Sequence, residues 1–367
     1  MKIGIVSMHR VKNNGSFLQA YALYEKLKKG GNQVQFIDFY DELHKDVKQK
    51  KNFLKELLKN CKALFNIEYK KQLETNKHRD EFNSRYTGFL TEIGLSSKLE
   101  FCKDEEFDLV VIGSDEVFNI CQYSDKKVEI PWELFGENIK AKKLVTYAAS
   151  CGQTNLEKIY SLSLENKCSD LLNKFSSISV RDENTFNFVN KLANKQPSYN
   201  VDPVLWFNEF PLDKDYKKLK EKYLLVYAYT MRMNGEKEKR AILEYARKKG
   251  LKTICVNCYQ PWCDIKITCS PFALLQYIKD AERVVTDTFH GTVFSIRNNT
   301  PFATIVRESN KNKLRSLLKQ FDLANREVES IDCLEEVLDS KIDFVSTNQI
   351  LDKERKNSEK YLNNIIG

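Results

Sequence analysis

Short, almost wholly apolar runs recur along this chain, separated by stretches whose apolar residues repeat with a helical period. KIGIVSM (2–8), QVQFIDF (33–39), FDLVVI (107–112), LVTYAAS (144–150) and SISV (177–180) fall in the first half. Residues 223–230, 251–257, 284–286 and 301–306 repeat the pattern in the second. A brief continuous apolar run suits a strand buried on both faces, and strands alternating with helices build parallel sheets covered on each side. Helices are predicted over 16–29 (stopped by Gly30-Gly31), 183–192 (capped by Asp182), 236–249, 271–281 and 311–321. Pro197, Asp202-Pro203 and the charged residues 213–222 interrupt the rhythm. The expected fold is therefore α/β, with two Rossmann-like domains facing a cleft. Residues 1–200 form the first, with a basic helical insertion at about 44–104; residues 201–330 form the second, and 331–367 a helical tail.

No apolar run reaches about 18 residues, so no spanning helix is expected. MKIGIVSMHRVKNN reads as a core strand rather than a signal peptide. A cytoplasmic location follows as an expectation, with the ten cysteines as packed thiols. Cys255, Cys258, Cys263 and Cys269 cluster, but the second CxxC of a zinc site is missing, and no metal is expected. Much of the net charge of +8 lies in residues 44–79, where Leu54, Leu57, Leu58, Cys61, Leu64 and Phe65 recur at helical spacing among lysines. The plain reading is a solvated helix face. The sharper one is a peripheral contact with an anionic surface at the inner face of the cell membrane. No recognition motif accompanies the lysines, which argues against nucleic acid.

The chemistry concentrates in RVVTDTFHGTVFSI (283–296), read as a strand and then a helix from Gly291. Asp287, Thr288, Phe289 and His290 lie between them, at the strand's carboxyl end, where open α/β sheets bind ligands. Helix-start amides there attract an anion, and His290 adds a side chain of a type that titrates near neutrality. A capping or hydrogen-bonded structural role is the rival reading. Asn14-Gly15 offers a second set of amides, or only a turn. Ser114 and Asp115, after the 107–112 strand, suit sugar hydroxyls or the orienting of a catalytic group, against a turn plus N-cap. Arg181 leaves a core strand and needs a partner, either a structural salt bridge or a ligand carboxylate or phosphate. Ser309, Asn310 and Lys311 precede a helix and suit phosphate, with Lys311 as surface charge the alternative.

Seven segments, in this order and spacing, resemble the polysaccharide pyruvyl transferases: IGIVSMHRVKNNGSFLQAYAL (3–23), FDLVVIGSDEVFN (107–119), VTYAASCG (145–152), ISVRDENT (178–185), VDPVLWF (201–207), VVTDTFHGTVFSI (284–296) and SNKNKLRSLLKQFDLANR (309–326). The resemblance implies a fold similar to two-domain GT-B glycosyltransferases. It implies transfer of the pyruvyl unit of phosphoenolpyruvate to a sugar, usually as a cyclic ketal, in bacterial cell-surface polymers, without metal or cofactor. The acceptor would be a lipid-linked or nucleotide-linked sugar. His290 (proton transfer or phosphate contact) and Arg181 (carboxylate or phosphate) fall at the donor. Asp115 joins them as a catalytic candidate; Asn14, Gly15, Ser114, Thr288, Gly291, Ser309 and Lys311 are candidates for substrate binding. The sequence departs from an S-x-R-x-H pattern of the family, with Thr288 where the arginine stands. Arg307, Lys311 and Arg315 are candidates to supply the missing anion contact. Two other classes compete: a glycosyltransferase using a nucleotide sugar, for which no acidic ribose-binding residue stands out, and a scaffold, which has no use for polar loops at strand ends.

Overall fold

The computed structural model of the chain describes residues 1–41, 67–95, 99–102, 104–214, 216–230 and 232–366. The amphipathic pattern read over 54–65 lies outside them. Strands β1 (Lys2–Val6), β2 (Gln33–Phe36), β3 (Phe107–Ile112) and β4 (Ala141–Thr146) form a parallel sheet in the order β2-β1-β3-β4. The parallel pair β5 (Ser179–Val180) and β6 (Ser198–Tyr199) extends it through bridges Val145–Ser177 and Ala149–Val180. Five further strands form a second parallel sheet in the order β11-β10-β7-β8-β9. They are β7 (Tyr223–Tyr227), β8 (Lys252–Val256), β9 (Ile265–Ile267), β10 (Arg283–Thr286) and β11 (Phe302–Thr304).

The continuous apolar runs have the cause expected of them. In β3, Leu109 and Val111 join one buried cluster while Val110 and Ile112 join another; β7 divides its residues in the same way. Both faces of each sheet are covered, so alternation with polar residues is absent. Strand order reverses between β1 and β3, and again between β7 and β10. The loops leaving these strands are where a doubly wound sheet opens a crevice.

Two helix starts differ from expectation. The first helix is Asn14–Lys29, because the Asn13 side chain accepts from Ser16 N at 2.7 Å and caps it two residues early. The helix after β10 is Phe289–Asn298, because Thr288 Oγ1 accepts from Gly291 N at 2.9 Å. Asn14, Gly15 and His290 therefore lie in first helical turns rather than in loops, as Gly291 does.

The chain's end ties the halves together. Leu334 and Leu338 pack in the cluster of the second sheet, whereas helix Phe344–Ile366 crosses back to the first. There the Tyr361 hydroxyl donates to Thr146 O at 2.9 Å and Lys143 Nζ to Ile365 O at 2.9 Å. Helix Ile67–Thr91 makes a second link. Its Tyr86 hydroxyl donates to Val11 O (2.9 Å), and its His78 ring stacks on Tyr259 beyond β8 at 4.4 Å. No described helix is long and apolar enough to cross a membrane.

Candidate active site

The loops after β1 and β3 meet the start of the Phe289–Asn298 helix around a cavity of about 280 Å³. Its wall includes Ser16, Asp115, Arg181, Phe289 and His290. Asn14 is buried at this junction: its Nδ2 donates to the Tyr227 hydroxyl at 3.2 Å, and its Oδ1 accepts from Asn257 Nδ2 at 2.9 Å. Both of its polar ends are thus engaged across the two sheets. Gly15 meets His290 directly. A Cβ placed on Gly15 would lie 2.1 Å from His290 Nδ1 and 2.2 Å from Cγ, so only glycine lets the imidazole rest on the helix backbone. Gly291 is confined likewise, its would-be Cβ 2.1 Å from Thr286 Oγ1.

Below the histidine lies a buried ionic chain. Arg181, its side chain 1% exposed, donates through one terminal nitrogen to Asp202 Oδ2 at 2.6 Å and Ser114 Oγ at 3.2 Å. The other terminal nitrogen reaches Asp115 Oδ1 at 3.3 Å, and its guanidinium lies 4.3 Å from the centroid of the Phe289 ring. Among the described residues Arg181 Nε and His290 Nε2 have no hydrogen-bond partner; the latter stands 3.6 Å from Asp202 Oδ2. Ser114 is wholly buried, with its hydroxyl donating to Ala148 O at 2.8 Å, so it holds Arg181 rather than facing the cavity. Asp202, read from the sequence as part of a connection, is the carboxylate that joins Arg181 to His290. Burial pushes its carboxyl up, but His290 and Arg181 together hold it below the usual range.

Asp115 accepts from Ser16 Oγ at 2.6 Å as well as from Arg181. Burial works to raise its carboxyl, and the charges of Arg181 and His290 outweigh that, holding it at about 2 against an ordinary 3.8. It therefore remains a carboxylate that accepts and orients, not an acid. The depressed pKa stabilises the fold above the unfolded value near 4, and that contribution is lost as pH falls through about 2. Wild type should exceed Asp115→Asn in stability by about 2 kcal/mol at pH 6, a gap closing towards pH 2, as read by urea unfolding at each pH.

Asp287 is fully buried after β10, with Oδ1 unpartnered, and burial raises its carboxyl despite Arg232 and Arg307 nearby. Arg307 is itself taken by Glu238 (2.5 and 2.9 Å) and by Asp287 (3.3 Å). Arg315 pairs with Glu327 at 2.6 Å on the surface. Lys311 pairs with Glu308 at 2.5 Å, and Ser309 is exposed; neither lines the cavity. The lysine that does is Lys313, paired with Glu116 across the two halves. Two residues along a helix turn through about 200°, which puts Lys313 opposite Lys311. His9 and Arg10 turn away from the cleft onto Asp38, at 2.8 and 2.6 Å. Among the described residues no three His, Cys, Asp or Glu side chains assemble as a ligand set, the Cys255, Cys258, Cys263 and Cys269 group included.

The polysaccharide pyruvyl transferase family description matches residues 13–335 of the chain. The chain belongs to that family. Every residue described around His290 and Arg181 lies inside the matched range, apart from the cavity residues Met8 and Val11. In this pyruvyl transferase family member, the hydroxyl of Thr288 is spent on Gly291 N and on Thr286 Oγ1 (3.0 Å), so the position serves as a helix cap. No curated protein matches the sequence significantly. Solved structures similar to the chain include the glycotransferase of kitacinnamycin (10% identity, TM-score 0.52, 97% of this chain and 95% of that one). The spinosyn rhamnosyltransferase SpnG is similar to a like degree (10% identity, TM-score 0.50, 96% of each chain). An O-GlcNAc transferase mutant from Thermobaculum terrenum shares 8% identity at a TM-score of 0.45; this chain is covered to 98% but spans only 64% of that chain. The first two of these, at such low identities, speak to the fold alone, which is the two-domain GT-B architecture of glycosyltransferases.

Proposed function

We propose that this chain transfers the pyruvyl group of phosphoenolpyruvate to a sugar, closing a cyclic ketal across two hydroxyls. The observation that carries the reading, within a pyruvyl transferase family, is His290 Nε2: it is buried, free of any hydrogen bond, at the cavity wall, and backed by the Asp202–Arg181 pair. The reaction needs a proton delivered to C3 of the donor while a sugar oxygen bonds to C2. The second hydroxyl then bonds to C2, the C2–O bond to phosphate breaks, and phosphate leaves. Of the two hydroxyl protons, one balances the proton gained at C3 and the other departs with phosphate or solvent. An imidazole with an unpartnered nitrogen can carry such protons, and Arg181 Nε, buried and likewise unpartnered among the described residues, is a donor for an oxyanion that reaches it. Asp115, fixed as a carboxylate, suits a sugar hydroxyl as acceptor. No cofactor or metal takes part in this scheme, and the reaction would serve the making of a cell-surface polysaccharide in the cytoplasm.

Isothermal calorimetry with phosphoenolpyruvate tests the donor. Saturable binding is expected, weakened about tenfold or more in His290→Ala, the loss of one charge-assisted contact. If phosphoenolpyruvate gives no heat with or without sugars present, while a nucleotide sugar binds, the donor is a nucleotide sugar and the pyruvyl reading is wrong.

A further inference from the structure

The cavity that holds His290 has a second set of groups that the transfer chemistry leaves unused. Gln122 lines it, and its Nε2 is buried with no hydrogen bond of normal geometry among the described residues, the Tyr123 hydroxyl being its weak neighbour, so a better acceptor would gain from it. Glu116 lines the same cavity, anchored by Lys313 and by Asn119 Nδ2 at 2.5 Å. Burial raises the Glu116 carboxyl, and Lys313 more than offsets this, so it stays ionised with lone pairs to spare. Tyr229, at the end of the loop leaving β7, lines the same cavity with 45% of its surface exposed. Its backbone is held from behind, because buried Gln260 donates through Nε2 to Ala228 O (3.1 Å) and Tyr229 O (3.2 Å). A half-exposed aromatic ring on a fixed backbone, with the Arg232 guanidinium 5.0 Å from its centroid on one side, shares a cavity with an amide donor and an ionised carboxylate acceptor, a set that suits a neutral polyhydroxyl ring. The ring's C–H face lies on the aromatic, and its hydroxyls donate to the carboxylate and accept from the amide.

We infer that Tyr229, Gln122 and Glu116 form the acceptor subsite, which binds a pyranose ring of the sugar and holds its hydroxyls toward His290. This rests on the reading above that a sugar is the acceptor, but it needs nothing of the donor. Glu116 lies in the 107–119 segment, whereas Gln122 and Tyr229 lie outside every segment that carries the resemblance.

The test is saturation-transfer NMR and titration on the full chain, without phosphoenolpyruvate. The probes are methyl pyranosides of gluco, galacto and manno configuration and their 2-acetamido forms. At least one should bind, with transfer strongest to ring C–H protons. Gln122→Leu, which keeps the volume but not the donor, should weaken it about fivefold. Tyr229→Ala should weaken it about tenfold, while Tyr229→Phe, which keeps the ring, should stay within about twofold. Thermal melts confirm that each variant is folded. Binding that Gln122→Leu and Tyr229→Ala leave unchanged overturns the subsite, as does failure of every pyranoside to bind the wild type. Phosphoenolpyruvate titrated separately distinguishes the two proposals: sugar binding lost in the variants with no phosphoenolpyruvate binding keeps the subsite and removes the donor.

Discussion

Gly15→Ala should lower turnover by about a hundredfold or more, although the exchange adds one methyl group on a helix whose propensity favours alanine by about 1 kcal/mol. The methyl would enter the space of the His290 ring, 2.1 Å from Nδ1 and 2.7 Å from Cε1. The helix Asn14–Lys29 cannot retreat easily, since Phe17 packs on Phe272 at 5.6 Å and Asn14 is bonded to Tyr227 and Asn257 on the far side. The imidazole must therefore swing, carrying Nε2 away from Asp202. Overpacking of this kind costs about 1–3 kcal/mol, so a modest loss of stability accompanies the large loss of activity. Phosphate release from phosphoenolpyruvate in the presence of acceptor is the assay. The double variant Gly15→Ala/His290→Ala should be no slower than His290→Ala alone, because the glycine acts through the ring. A Gly15→Ala enzyme of near wild-type rate would show that the ring position is immaterial.

The strands were legible because burial on both faces leaves a continuous apolar run, as in residues 107–112, and the order of the runs already implied parallel sheets. His290, Arg181 and Asp115 were legible as polar residues at strand ends, and the cavity brings all three together. What was not legible depends on distance and phase. Asp202 sits in an Asp-Pro pair that signals a turn, and it does cap the Pro203–Trp206 helix. Its charge partner, however, is 21 residues away. Lys311 rather than Lys313 drew attention because it opens the helix, whereas which lysine faces inward is set by helical phase against the packed Leu314 and Leu317. Asn14 looked like a source of backbone amides, but its side chain bridges to residues 213 and 243 positions away, which no local pattern reports. Gln122 and Tyr229 belong to no motif at all.

Asp202→Asn should unfold the protein more readily than any exposed change, by about 3–5 kcal/mol. Asparagine keeps the oxygen that accepts from Val204 N at 3.0 Å, so the helix cap survives. What goes is the charge 2.6 Å from the buried Arg181, leaving that guanidinium an ion pair to Asp115 at 3.3 Å and the neutral Ser114 hydroxyl at 3.2 Å. A buried cation with half its compensation removed is the costly case, because desolvation is still suffered while attraction is lost. Urea unfolding measures the effect. Removing both charges, in Arg181→Met/Asp202→Leu, should recover part of the stability, since the apolar pair itself needs no compensation, while Asp115 loses its arginine and Val204 N its cap. It should not recover turnover, because His290 would then lose the carboxylate 3.6 Å from its Nε2 and the donor its arginine. If the double variant regains stability and rate together, the Arg181–Asp202 pair is structural. If Asp202→Asn is as stable as wild type, the ion chain beneath His290 does not carry the fold in the way its distances imply.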